Sequence, residues 1–435
     1  MSAIPSCTRR LKYAVEGCFN GVWGDESNGV DDLVVVRVAD FDREKACVEL
    51  GDSPTVRAIP ESARSRRVLR RGDLLIEKSG GGEQQPVGNV VLFDDARAAV
   101  CSNFVARLPV ANWCDSRYVA YVFRAMYLGK RNIPHIKQTS GIQNLDSESY
   151  LNELAWLPHR NVQERIANFL DEKTARIDAL IAEKERLLTS IKNYRTSAID
   201  AEVTGRDYRG DRQHTRFEFS ATVPVAWVMK RLKHISPEIA VGIVVNPSDY
   251  YSEDGRPFVF GGDISEEGLD VDTTRRISDE GNVSNAKSRL RVGDLVTVRV
   301  GEPGLTAVVP PAVDGGNCAS VMLTRGHLSF DSHWLAACMN SSVGRHQVKL
   351  VEYGAAMKQF NLSHAREFWF PVPPLQTQHE IAKSVAEIER RTRDLAAHVR
   401  EHISRLREYR SSLISAAVTG QLNIDDFKAR QLEAA

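Results

Sequence analysis

Apolar residues between Ile166 and Ala198 recur in alternating steps of four and three: Ile166, Leu170, Ile177, Leu180, Leu187, Ile191, Tyr194 and Ala198, with Lys173 and Lys184 in the two remaining slots. The same rhythm returns at Ile381, Val385, Ile388, Leu395, Val399, Leu406, Tyr409 and Leu413, with Thr392 and His402 in the gaps. Eight of ten slots in each run are apolar or tyrosine, a stripe narrow enough to predict a coiled-coil seam instead of one face of a globular helix. A proline precedes each run and a glycine closes it, which places the ends of two long helices. Some 39 residues at about 1.5 Å each predict rods of roughly 58 Å.

The two runs are copies. A shift of 215 positions superimposes Pro158 on Pro373, Gln163 on Gln378, Tyr194-Arg195 on Tyr409-Arg410 and Val203-Thr204-Gly205 on Val418-Thr419-Gly420, without a gap. Polar seam slots in one copy match apolar slots in the other, Lys173 with Ile388 and Lys184 with Val399. That complementarity predicts rods that pair with each other inside one chain, since one buried polar partner per layer is tolerable and sets register. An antiparallel pair would relate two domain-plus-helix halves by a pseudo-twofold axis, with the globular parts at opposite ends of the rods.

The segments before the rods repeat more weakly. "RRLKY" (9–13) answers "KRLKH" (230–234), and "RGDLLIEKSGG" (71–81) answers "VGDLVTVRVGE" (292–302). "TSGIQNLDSESYLNELAWLP" (139–158) answers "GAAMKQFNLSHAREFWFPVP" (354–373). Short β-branched runs behind Gly-Asp turns predict strands, so each half reads as a mixed α/β domain around a twisted sheet. The expected fold class is therefore mixed α/β (α+β): two globular domains separated by two long helices packed as an antiparallel coiled coil. The expected divisions are 1–155 and 206–370 for the domains, 156–205 and 371–423 for the helices, and 424–435 for a tail.

Composition narrows the chemistry. The 435 residues carry 57 basic and 57 acidic side chains, so no global charge draws the chain to a polyanion. Local basic stretches at 63–71, 129–137, 205–216 and 405–410 stand out against that balance. The beginning of the sequence has no apolar core of a signal peptide, and no apolar run approaches the roughly 20 residues of a membrane span. Seven scattered cysteines without CxxC spacing predict reduced thiols and a cytoplasmic setting, not disulfides or a zinc site. There is no G-x-x-x-x-G-K-[ST] phosphate loop, and no Asn- or Asp-Pro-Pro-aromatic segment with which an amino-methyltransferase grips a flipped base. His398 and His402 lack a third ligand. A non-catalytic chain is expected, with no metal or cofactor of its own.

Two divergent domains, each followed by a near-identical long helix, resemble the specificity subunits of type I restriction–modification enzymes. The segments that carry the resemblance are "LPHRNVQERIA" (157–167), "VPPLQTQHEIA" (372–382) and the "VTG" endings. It implies two target-recognition domains, each reading one half of a bipartite, asymmetric site in double-stranded DNA. The helices would set the spacing and dock two methyltransferase subunits, to which nuclease/translocase subunits add. S-adenosylmethionine would sit on the methyltransferase partner, and ATP and Mg on the nuclease partner. Two readers on a rigid spacer suit half-sites about one helical turn apart, roughly 34–36 Å. Two other readings compete: a coiled-coil scaffold with two protein-binding domains, and the specificity module of a methyltransferase fusion.

Candidate contact residues lie in the polar loops before the rods and beside the glycine turns. Lys137, Gln138, Thr139, Gln143 and Asn144 in the first half match Lys358, Gln359 and Asn361 in the second, where amides and lysines suit base edges. Lys78 and Arg299 are candidates for phosphate. For docking and for the coiled coil the candidates are Gln163, Ile166, Leu180, Tyr194, Gln378, Ile381, Leu395 and Tyr409.

Overall fold

A computed structural model describes residues 7–139, 141–266, 268–354 and 358–425. The chain divides into two compact units: one runs to Lys184 and resumes at Glu401, and the other is Glu185–Arg400. Two long helices run through both: the first rod, Arg160–Thr204, has 45 residues and the second, Leu375–Val418, has 44. None of the described helices is long and apolar enough to cross a membrane.

In the first unit the β-branched run Asp32–Val36 is the centre of a three-stranded sheet, parallel to Ala99–Cys101 on one side and antiparallel to Val56–Ala58 on the other. A six-stranded sheet runs Phe19–Asn20, Val105–Leu108, Leu74–Glu77, Val90–Leu92, Cys47–Val48, Phe41–Asp42. Val36, Phe41, Leu75, Val91, Phe93 and Val105 form the core they share. Buried strands of this kind read as continuous Val, Ile and Leu because both faces are covered.

The second unit repeats the plan. Tyr251–Val259 lies between Arg275–Ile277 and Asn317–Cys318, antiparallel to the first and parallel to the second. A four-stranded sheet runs Ile239–Val241, Val321–Thr324, Leu295–Val298, Thr306–Val308. Its main core joins Trp227, Trp334, Phe360 and Phe370 to Ile199 and Val203 of the first rod and Ile381 and Val385 of the second. Each unit also carries a buried ion pair behind its Gly-Asp turn: Arg107–Asp73 at 2.6 Å and Arg325–Asp294 at 2.6 Å.

A two-stranded ribbon opens each globular part and leads into a rod, Thr8–Arg10 with Leu154–Trp156 and Val228–Arg231 with Trp369–Val372. The junction that follows is held by a glutamine clasp. Gln163 accepts from the Asp115 amide at 2.9 Å and donates to the Pro158 carbonyl at 2.8 Å. Gln378 does the same with Asp331 and Pro373, at 2.9 Å each. Asp115 and Asp331 in turn cap the helices Ser116–Leu128 and Ser332–Asn340. One side chain thus satisfies two backbone groups that the helix start would leave unpaired. Both glutamines, named from the sequence for docking and the coiled coil, are buried here and serve the chain's own junction.

The rods are antiparallel. Arg410 pairs with Asp178, Arg195 with Glu389 and Ser384 with Glu202, so as one number rises its partner's falls. At some of the expected slots, however, the seam runs one residue away. Leu180 and Tyr194 are 46% and 64% exposed, and Leu395 and Tyr409 are 49% and 47% exposed, whereas Ile181, Ile403 and Arg410 are buried. Ile166, Ile177, Ile191 and Ile381 hold the seam as expected. Adjacent apolar pairs, Leu180-Ile181 and Leu187-Leu188, fit either a three-then-four or a four-then-three count, and packing chose the second. The repeated endings close on packing as well. Gly205 has φ +62, and a Cβ there would come within 2.9 Å of Pro224 and Trp227; Gly420, at φ +73, lies against the Trp156 ring. Only glycine accepts that backbone at so close an approach.

Candidate nucleic-acid interface

Backbone pairing brings the two groups of candidate residues together in each unit. In the first, the hairpin Ile136–Thr139 and Ile142–Leu145 adds a third strand, Ser79–Gly80, with Gln143 opposite Gly80 and Asn144 opposite Ser79. Lys78 stands beside this strand, its amide bonded to Phe104 and its carbonyl accepting from the Leu145 amide. In the second unit Val300 bridges to Gln359, Gly301 donates to the Lys358 carbonyl and Phe360 donates to the Arg299 carbonyl. A basic residue next to a glycine turn therefore sits against the polar loop in both. Segments some 60 residues apart meet only because strand pairing carries them there.

The side chains divide into those that serve the fold and those left for a ligand. Gln143 is buried, its Oε1 accepting from the Val87 amide at 3.2 Å, so it holds the hairpin. Thr139 enters by its backbone, opposite Ile142. Asn144 accepts from Ser79 Oγ at 2.6 Å and remains exposed, as does Gln138. Asn361 accepts from the Tyr353 hydroxyl at 2.9 Å and is also exposed. Ser79 and Tyr353 are partners that no sequence pattern marks.

Charge is distributed unevenly over these residues. Lys137 lies 2.8 Å from Asp146, and Lys358 lies 2.6 Å from Glu352, so both ammonium groups are neutralised within the chain. The Lys137 ammonium, followed by the Ser149 amide, holds the Asp146 carboxyl below the usual carboxylate range. Lys78 donates instead to Asn20 Oδ1 at 2.8 Å, and Arg299 to the Phe360 carbonyl at 3.4 Å. Neither has an ion pair among the described residues, so their positive charge is uncompensated. The two lysines of the loops are set in place by their carboxylates, and Lys78 and Arg299 by neutral acceptors.

The fold is shared with known proteins. No family model matches the chain. It is 23% identical over 290 residues to the type I restriction enzyme EcoBI specificity subunit of Escherichia coli, a match spanning 65% of this chain and 61% of that relative. A solved chain from work on complex assembly and conformational transition of the type I R-M system superimposes with a TM-score of 0.73 at 17% identity, over 97% of this chain and 100% of that one. The HsdS subunit from Thermoanaerobacter tengcongensis superimposes with a TM-score of 0.54, also at 17% identity, over 96% and 98%. The fold is that of the type I specificity subunits. Within the specificity-subunit fold, the rods are the part this chain copies most faithfully between its halves.

Proposed function

We propose that the chain is the non-catalytic, sequence-specific DNA-recognition subunit of a type I restriction–modification assembly. Each globular domain, 1–155 and 206–370, reads one half of a bipartite, asymmetric site in double-stranded DNA. The observation that carries this reading is the division of labour inside each unit. The clasp and the buried ion pair recur in both units and the rods repeat in register, while the polar loops are built differently: a hairpin paired to Ser79–Gly80 in one unit, bridges from Gln359 to Val300 and Tyr353 in the other. A common frame under different readers yields two unlike half-sites.

The rods are the docking surface for two methyltransferase subunits, to which nuclease/translocase subunits add. Support comes from the slots that turned out not to be seam. Leu180, Leu187 and Tyr194 recur every seven residues on the exposed side of the first rod, and Leu395 and Tyr409 occupy the equivalent places of the second. Large apolar groups left in water at heptad spacing on a helix suit a partner helix.

The test is methylation mapping in a host that carries this chain with its methyltransferase partner, joined to duplex binding by the purified assembly across a salt series. The expected result is one split, asymmetric methylated site and binding that weakens steeply with salt. A single continuous methylated site, or no duplex binding at low salt, refutes the reading.

A further inference from the structure

In both units an arginine on the outer strand of the three-stranded sheet lies on a partly exposed aromatic ring. In the first unit Arg57, on Val56–Ala58, has its guanidinium carbon 5.0 Å from the centre of the Trp23 ring. The ring is fixed by its own backbone: Asp25 and Ala58 exchange two hydrogen bonds, and Gly24, between Trp23 and Asp25, approaches the Ala58 carbonyl too closely for any Cβ. In the second unit Arg275, on Arg275–Ile277, lies 5.2 Å from the Tyr251 ring centre and 5.0 Å from that of Phe260. Tyr251 is tied to the same strand by its bridge to Ile277, and its hydroxyl accepts from Arg275 Nη1 at 2.8 Å.

The registers align the two sites. Val36 opposite Cys101 corresponds to Val259 opposite Cys318, so Arg57 corresponds to position 277. Arg275 then lies two residues away, on the same face of the equivalent outer strand. Neither arginine has an ion pair among the described residues, whereas their neighbour Arg256 pairs with Asp279. Arg57 Nε, moreover, is buried without a hydrogen-bond acceptor. Each unit thus seats one guanidinium group without an ion pair among the described residues on an aromatic platform at the rim of a sheet, at places two residues apart in register.

We infer that Arg57 and Arg275 are base-reading residues, each contacting a guanine edge in the major groove of its own half-site. This rests on the proposed role in DNA recognition and goes beyond it by naming the readers. An arginine held against a ring keeps a planar fork in a restricted orientation, which suits the paired O6 and N7 acceptors of guanine. A phosphate contact needs only charge, and a lysine would serve it equally.

The test uses the full chain with its methyltransferase partner on duplexes carrying the mapped site, and on duplexes with each base of one half-site changed in turn. Arg57→Ala is expected to weaken binding about 10- to 100-fold and to abolish discrimination at one G·C pair of one half-site. Arg275→Ala is expected to do the same in the other half-site only. Arg57→Lys keeps the charge and loses the fork, and is expected to lose that discrimination as fully as alanine does. Circular dichroism of each variant separates misfolding from lost contact. A uniform loss over all sequences that lysine restores, or variants that bind as wild type does, overturns the inference and leaves the recognition reading intact. An unaltered assembly that binds no duplex overturns the recognition reading itself.

Discussion

At the residue scale, the molecule is governed by side chains that pair backbone groups or charges in places water cannot reach. The glutamine clasp shows the consequence most clearly. Gln163→Leu preserves volume but strands the Asp115 amide and the Pro158 carbonyl, and an unpaired buried polar group costs about 1–3 kcal/mol. Urea unfolding of the variant is expected to show a loss of that size, and an unchanged midpoint would mean the clasp is idle. The Lys137–Asp146 pair gives a pH prediction. Because the Asp146 carboxyl is lowered in the folded state, its contribution is present above the unfolded pKa and fades as pH falls through the folded one. In Lys137→Ala the Asp146 titration, followed by NMR, is expected to move up toward the ordinary carboxylate range. It should stop short of that range, because the Ser149 amide still donates. A titration that does not move would show that the lysine is free and available to phosphate after all.

At the element scale, the period of the rods was legible, but they run to 45 and 44 residues against about 39 expected, and which of two neighbouring apolar residues faces inward was not legible. The period follows from the spacing of Ile166, Ile177 and Ile191. The choice between Leu180 and Ile181 depends on how the partner helix wraps, which is a property of the pair. The consequence can be measured. Ile181→Ala is expected to destabilise by about 2–4 kcal/mol, since it empties a buried slot, and Leu180→Ala by less than about 1 kcal/mol. Equal losses at the two positions would contradict the observed seam. Arg410 illustrates the same limit. It looked like one more surface arginine of a basic helix, yet its side chain is buried against Asp178 because the true seam passes through it.

At the scale of the whole molecule, the first unit is not a continuous stretch, because the second, Glu185–Arg400, interrupts it. The first unit takes its last helical segment from the C-terminal part of the chain: Ile403, Arg410, Leu413, Ile414, Ala417 and Val418 are all buried there. A chain ending at Arg400 retains every segment of the second unit and strips the first of those side chains. Hydrogen exchange of such a truncation is expected to show protection kept in 239–324 and lost in 74–108, and the reverse pattern would refute this division. The same weave explains why the two "VTG" endings stayed alike. Gly205 closes on Trp227 and Gly420 on Trp156, so each ending must fit a globular part that is not the one its own rod follows.

The sequence by itself determined the duplication, the two rods, their antiparallel pairing and the mixed α/β character of each half. All of these are written in local periodicity and in a register of 215 that needs no coordinates to see. Tertiary structure decided the seam, and it decided which candidate side chains are buried or paired. It turned Gln143 inward, neutralised Lys137 and Lys358 with carboxylates, and left Lys78 and Arg299 without an ion pair among the described residues. It also set Arg57 on Trp23, 34 positions away in the chain. The reason is physical: helix period and strand propensity are short-range properties carried by neighbours. Burial and charge compensation depend on groups that meet only after distant strands have paired.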